Sequence, residues 1–224
     1  MTTEAGSKKL RGTAKKKAEV REILKNLDWQ GFDVWASKLS SPVTILLGVL
    51  FDQDEEIKWR GIEAIGRVSK MQEENGNRAA VQETIKRLFW QMNEDCAGGI
   101  PCAPVALGEV LYNVPYFIRE YGAGLLGYLM KEPFDKGVIW AAQRLSSLSA
   151  PLIQYKQMWF EGMLIDENSM KRAYAAKALL TAGFEVSTAR KEILLKDQDS
   201  FTEYQHSDGT IKEITVAEIL KTVV

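Results

Sequence analysis

Three glycines and two cysteines have spacings that could support chemistry. Gly122, Gly124 and Gly127 match the letters of the dinucleotide-binding fingerprint, but that motif follows an apolar strand and needs an acidic residue about 20 positions later. Neither condition is met, so we interpret these glycines as sites of close helix packing or of a helix break. Cys96 and Cys102 are six positions apart, which matches no common zinc or cluster spacing. We therefore expect no cofactor and no metal.

The composition excludes several kinds of site. One His and two Cys in 224 residues rule out a mechanism that needs several imidazoles or a cage of thiolates within this chain. His206 follows a predicted strand with no carboxylate or nucleophile at a suggestive spacing, so the sequence favours a solvated turn residue there. Lys+Arg 29 against Asp+Glu 30 gives a net charge of -1, whereas a dedicated duplex-binding surface usually brings a basic excess. We predict no catalytic residue and do not favour nucleic acid as a partner.

Successive predicted helices carry similar groups of side chains: aromatic residues with carboxylates, together with an arginine or an amide. Trp59 and Glu63 are i,i+4 neighbours on one helix, and Trp90 and Asn93 share a face of another. In a stack of helices these groups could converge on one groove. The residues predicted to bind a partner or ligand are Trp59, Arg60, Glu63, Trp90, Asn93, Glu94 and Glu109. The alternative is that the tryptophans fill gaps between helix layers and that Glu63 and Glu94 only cap helices or form ion pairs.

The elements that must position these residues are helices. Apolar spacing near 3.6 residues runs from about residue 15 to about residue 196, with Ile57, Ile62 and Ile65 as one example. Turn residues interrupt the pattern, which predicts helices of about 10–18 residues. No segment before residue 200 alternates with a period of two, so we predict an all-α body.

Parts of this helical region repeat. The segment that starts at Asp52 aligns without a gap with the segment that starts at Asp166, an offset of 166 − 52 = 114 residues. Two weaker copies lie between them. The equivalent positions of the four copies are Glu63, Glu109, Arg144 and Lys177. These positions are 46, 35 and 33 residues apart, and repeats that each contain a helix pair have periods of this size.

The segments at Asp52 and Asp166 resemble HEAT-like repeats of the type first associated with phycobilisome lyases. The resemblance covers about residues 40–185 and implies an α-α superhelix of HEAT/armadillo type, in which small residues let neighbouring helices approach closely. The segment LFWQMNEDCAGGIPCAPVALGEVL is similar to one in an uncharacterised HEAT-like family of anaerobic bacteria and archaea, which has Trp-Arg where this chain has residues 101–103. HEAT arrays serve as scaffolds, enzyme subunits and binders, so the resemblance implies no single function.

The C-terminal segment follows a different pattern. Apolar and polar residues alternate on both sides of Asp208-Gly209, which predicts a small β-hairpin with strands near 201–205 and 210–216. Thr215 stands three positions before Glu218, which predicts a capping box at the start of a last helix. A two-stranded hairpin is marginal alone, so we expect it to seal the end of the helical region. The predicted organisation is a basic N-terminal tail over 1–14, a helical repeat domain over 15–197, and the hairpin with a short helix over 198–224.

The sequence leaves three functions open. We favour a non-catalytic interaction module or scaffold that binds a protein partner through the Trp/Glu face. A small-molecule or cofactor binder that uses the same face is the alternative. A HEAT-type alkylpurine DNA glycosylase is similar in length, but the net charge argues against it. The N-terminus lacks the apolar core of a secretory signal, and no run of about 18 apolar residues occurs, so we expect a cytoplasmic protein with no membrane partner.

Overall fold

The structure of the protein, a computed structural model, describes residues 4–93 and 100–224, with side chains from residue 12 onward. These residues are mostly helical, with one small antiparallel sheet near the C-terminus, as predicted. The helices are α1 (Glu4–Lys25), α2 (Trp29–Ser37), α3 (Pro42–Val49), α4 (Glu55–Glu74), α5 (Arg78–Gln91), α6 (Ala103–Asn113), α7 (Ile118–Leu126), α8 (Asp135–Leu145), α9 (Ala150–Gln154), α10 (Gln157–Met163), α11 (Ser169–Thr181), α12 (Thr188–Leu194) and α13 (Val216–Lys221). No described helix is long and apolar enough to cross a membrane.

The first helix differs from the predicted boundaries. α1 begins at Glu4, whereas the sequence suggested an N-terminal tail as far as residue 14. Residues 4–14 contain two Ala, two Lys and one Arg, which favour a helix, but also two Gly, which do not. Local propensity therefore does not by itself explain the start at Glu4.

The two aligned acidic turns have the same local structure. The Asp52 carboxylate accepts a hydrogen bond from the backbone N–H of Asp54 at 3.1 Å, and Asp166 accepts one from Asn168 at 2.9 Å. Asp54 and Asn168 are in turn the N-caps of α4 and α11, with nearly identical backbone angles (φ -83, ψ 114 and φ -80, ψ 116). Side-chain acceptors at these positions satisfy free N–H groups of the first helical turn. The repeated sequence thus produces a repeated helix start.

The helices pack in two rows. In the central row α4 packs on α6, α6 on α8, α8 on α11, and α11 on α13. In the outer row α3 packs on α4, α5 on α4 and α6, α7 on α6 and α8, and α10 on α11. A Cβ at Gly108 would lie 2.6 Å from the Cβ of Ala141, so α6 and α8 can approach this closely only with glycine there.

The C-terminal hairpin forms as predicted. Strand β1 (Ser200–Gln205) pairs antiparallel with β2 (Thr210–Thr215). Gly209 has a φ of +68, the left-handed conformation that the turn requires. The capping box between Thr215 and Glu218 is present at the start of α13. The position of the hairpin differs from the prediction, because it does not only seal one end: β1 contacts α11 and β2 contacts α4, so the hairpin lies along the central row.

Candidate functional site

Tyr204 of β1 occupies the centre of the predicted face. Its phenol O–H donates a hydrogen bond to the Glu63 carboxylate at 2.7 Å. Its ring stacks on Trp59 with 5.4 Å between centroids and 6° between planes, and the residue is 3% exposed. Burial, together with the Glu63 carboxylate, raises the pKa of Tyr204, which keeps the phenol protonated as a donor. Trp59 and Glu63 are therefore covered by the chain's own hairpin.

Arg60 fixes the tip of the hairpin. Its Nε donates to the carbonyl oxygen of Gly209 at 2.9 Å. Its Nη1 donates to the carbonyl oxygens of Leu24 at 3.3 Å and Lys25 at 3.1 Å, at the end of α1. Its Nη2 forms an ion pair with Glu56 at 2.7 Å. Every nitrogen of this buried guanidinium is used, so Arg60 joins three elements and has no nitrogen left for a partner.

Glu109, on α6, connects the turn of the hairpin to α8. This carboxylate is 1% exposed, and its Oε1 lies 2.9 Å from His206 Nε2 and 2.8 Å from Arg144 Nε. Burial by itself would raise the pKa of Glu109, but the hydrogen bonds and charges of His206 and Arg144 outweigh it, so the pKa is lowered. The His206 ring also stacks on Trp140, 6.2 Å between centroids. His206 lies in the turn, as expected, but its side chain is only 27% exposed and pairs with a carboxylate 97 positions earlier in the chain, which the sequence did not indicate.

The four positions that the repeat alignment made equivalent all lie at this hairpin. They are Glu63 on α4, Glu109 on α6, Arg144 on α8 and Lys177 on α11. Glu63 bonds Tyr204 and Glu109 bonds His206. Arg144 and Lys177 line one pocket with residues of β1. The alignment therefore agrees with the observed placement on successive helices of the central row. We name this surface the central face and define it by these four residues with Trp59, Arg60 and Trp140.

Two predicted residues lie elsewhere. Trp90, which is 64% exposed, and Asn93 line a shallow pocket of about 320 Å³ with Lys86, Phe89 and Tyr128. The structure does not bring them to the central face, so the prediction of one shared groove does not hold for them. A side chain this exposed does not fill a gap between helix layers, so the alternative interpretation of Trp90 does not hold either. Glu94, the remaining predicted residue, lies outside the described residues, as does Cys96.

The other motifs carry no reactive group in the described residues. Gly122 and Gly124 lie within α7, and Gly127 directly follows it, so they do not form a phosphate-binding loop between a strand and a helix. Burial raises the pKa of the half-buried Cys102 thiol to about 11, which keeps it protonated at neutral pH. Over 12–93 and 100–224, no group of three or more His, Cys, Asp or Glu side chains could hold a metal ion.

An exposed apolar surface lies on the outer row. A groove of about 560 Å³ is lined by residues that include Ile118, Leu152, Tyr155 and Arg119. Lys156 lies over the rings of Tyr155 and Trp159, at 5.1 and 5.7 Å from their centroids. We use the name α7–α10 patch for five exposed side chains of this region, Tyr116, Leu148, Tyr155, Met158 and Trp159, which are 62%, 44%, 62%, 83% and 46% exposed. Of these, Leu148 and Tyr155 line the groove, and Trp159 shares Lys156 with Tyr155.

Sequence reasoning did not identify the α7–α10 patch. Met158 and Trp159 are on α10, whereas Tyr116, Leu148 and Tyr155 lie between the helices, so no single helix carries an apolar stripe that marks the surface. The available signal was the concentration of aromatic and Met residues in 155–159, next to a helix of only five residues, α9. A helix this short cannot cover many large apolar neighbours, and this could have indicated exposure.

Comparison of the chain with protein-family models, curated proteins and solved structures found no match. The relation to HEAT-like repeats therefore stays a prediction that rests on the residues described above.

Proposed function

We propose that this protein is a non-catalytic HEAT-like binding module that docks a protein partner on the α7–α10 patch. The observation that carries the proposal is the exposure of five large apolar side chains, one just before α7 and four between α8 and the middle of α10, four of them aromatic or Met. Monomeric proteins rarely expose large contiguous apolar patches, and those that do mark interaction sites. Trp, Tyr and Met are also enriched in the cores of protein interfaces.

The HEAT-like interpretation is supported by two features. The turns at Asp52 and Asp166 start helices in the same way although they are 114 positions apart (166 − 52). Each of α4, α6, α8 and α11 packs on the next and also on a helix of the outer row, as expected of stacked helix pairs. Such a stack offers a broad preformed surface, which lowers the ordering cost of binding.

We propose the α7–α10 patch as the partner surface, and not the central face, because the hairpin occupies the central face. A partner that reached Trp59 or Glu63 would first have to displace Tyr204, which is bonded and stacked there. It would also have to replace the bonds of Arg60 to Gly209 and of Glu109 to His206. The α7–α10 patch requires no such displacement.

The charges beside the patch indicate the chemistry of the partner. Arg119 lines the groove, and Lys156 lies between two of the exposed rings. The neighbouring carboxylate of Glu120 accepts a hydrogen bond from Gln82, and that of Glu161 accepts one from Gln157. These amide donors are neutral and leave both carboxylates charged, so charges of both signs surround the patch. We therefore propose a partner segment with apolar anchor side chains and polar residues of mixed charge around them.

Replacement of Tyr155 and Trp159 by Ser should abolish partner capture without loss of fold. Both side chains are about half exposed or more, so their removal costs little stability, whereas aromatic hot spots contribute about 2 kcal/mol or more to binding. Affinity capture from a native lysate, quantified against the wild type, is the measurement. Ile193→Ser on α12 is the matched control, since Ile193 is 57% exposed and lies outside the patch. Equal capture by the wild type and the Tyr155→Ser/Trp159→Ser variant would overturn the proposal.

A further inference from the structure

A second, polar pocket lies between the hairpin and the central row. It has a volume of about 280 Å³, and its walls come from α8, α11, α13 and both strands. Trp140 and Tyr204 form an apolar side of the pocket, and Gln143, Arg144 and Lys177 contribute polar groups. The volume suits a small metabolite and not a macromolecule.

Gln143 is the most informative residue in this pocket. It is 8% exposed, yet its side-chain amide makes no hydrogen bond with any described residue. The amide is not among the fully buried polar groups that lack a partner in the described residues, so it opens into the pocket that it lines. A molecule bound there can therefore form a hydrogen bond with it.

Two cationic side chains beside Gln143 also have unused donors. The Arg144 guanidinium bonds Glu109 through Nε and lies 3.8 Å above the Tyr112 ring, but its two terminal nitrogens make no hydrogen bond within the described part of the chain. Lys177 is half-buried and forms no ion pair or hydrogen bond with the described residues. The pocket therefore contains cationic N–H donors that have no acceptor among the described residues.

The carboxylates at the pocket already accept hydrogen bonds. Of the two carboxylates nearby, Glu109 is bonded to Arg144 and His206. The other, Glu203, accepts from the Tyr174 hydroxyl at 3.4 Å and, from its own strand, the Gln205 amide at 3.3 Å. A ligand that matches this site must bring acceptors, and the lysine and arginine favour a negative charge on them.

We propose that the pocket binds a small molecule with a carboxylate or phosphate group, whose oxyanion accepts hydrogen bonds from Gln143, Arg144 and Lys177. The apolar rings of Trp140 and Tyr204 contact the remainder of the ligand. This site is separate from the α7–α10 patch and does not depend on the proposed protein partner.

The test uses inorganic phosphate and succinate as probes at constant ionic strength, with the full chain and calorimetric titration. Both probes should bind saturably at one site, and Lys177→Met should weaken binding by about tenfold or more, the effect of losing a charge-assisted hydrogen bond. Lys70→Met is the matched control, because Lys70 is an exposed lysine in the middle of α4. Its affinity for the probes should equal that of the wild type.

Nuclear magnetic resonance provides a second readout. The side-chain amide signal of Gln143 should shift as either probe saturates the site, and Gln143→Leu should weaken binding while circular dichroism remains unchanged. Binding of neither probe to the folded wild type would overturn the proposal. So would equal affinities of the wild type and Lys177→Met, since that variant changes a half-buried surface side chain and keeps its apolar stem.

Discussion

A chain that ends at Lys196 should be aggregated or largely unfolded. The deletion removes Tyr204 from the central face and Val216, Ile219 and Leu220 from their packing; the last three are at most 1% exposed. Each such side chain contributes about 1.5–3 kcal/mol, whereas a whole domain is stable by about 5–15 kcal/mol. The loss is therefore comparable with the total stability. Solubility and thermal melting followed by circular dichroism are the measurements.

The matched control is a chain that ends at Lys221. It loses only residues 222–224 and keeps the hairpin and α13, so its melting temperature should stay close to that of the full chain. If the chain that ends at Lys196 were soluble and melted within a few degrees of the full chain, the hairpin would be an independent arm and not part of the folded core.

Glu109→Gln should destabilise the protein by about 2–3 kcal/mol at pH 7. The variant keeps the size of the side chain but removes the charge that faces Arg144 and His206. Removal of one partner from a buried ion pair costs about 3–5 kcal/mol, and the lower figure here reflects the partial exposure of Arg144. Unfolding by urea at pH 7 measures the difference.

The same pair of proteins should show a defined pH dependence. Because the pKa of Glu109 is lowered in the folded state, its ionised form contributes stability that is complete above the unfolded pKa of about 4.3. That contribution is lost as the pH falls through the folded pKa. The stability difference between the wild type and Glu109→Gln should therefore shrink below about pH 4. A difference that is the same at pH 7 and at the lowest pH where both fold would contradict the role assigned to Glu109.

Features determined by neighbouring residues could be predicted from the sequence. The turn at Asp208-Gly209, the capping box of Thr215 and the acidic turns before α4 and α11 each depend on residues within a few positions of one another. The repeat alignment succeeded for a related reason. Equivalent positions in repeated helices face the same direction, so Glu63 and Glu109 both lie on the central face.

The position of the hairpin could not be predicted in this way. The bond between Tyr204 and Glu63 joins residues 141 positions apart, and that between His206 and Glu109 joins residues 97 positions apart. Alternation along a strand shows that positions 204 and 206 share a face, but not which surface they meet. The prediction therefore left the central face open to a partner, whereas the chain itself covers it.

Trp90 shows a second limit of the sequence argument. The helical period places Trp90 and Asn93 on one side of the predicted helix. It does not indicate which side packs against other helices, because Phe89 is also apolar and lies next to the apolar stripe that contains Leu88 and Met92. In the structure Leu88 and Met92 are buried, while Trp90 is mostly exposed. Trp59 and Trp90 each lie near a carboxylate in the sequence, but this shared pattern does not place them on a common surface.

The most direct test of where the partner binds is site-specific photo-crosslinking in native lysate. One chain carries a benzophenone amino acid in place of Tyr155 in the α7–α10 patch, and a second carries it in place of Lys212 on the hairpin. Both positions are more than half exposed, so neither replacement disturbs the core. We expect a discrete protein adduct from position 155 and none from position 212. An adduct from position 212 without one from position 155 would contradict the proposed docking surface and return the partner to the hairpin and the central face.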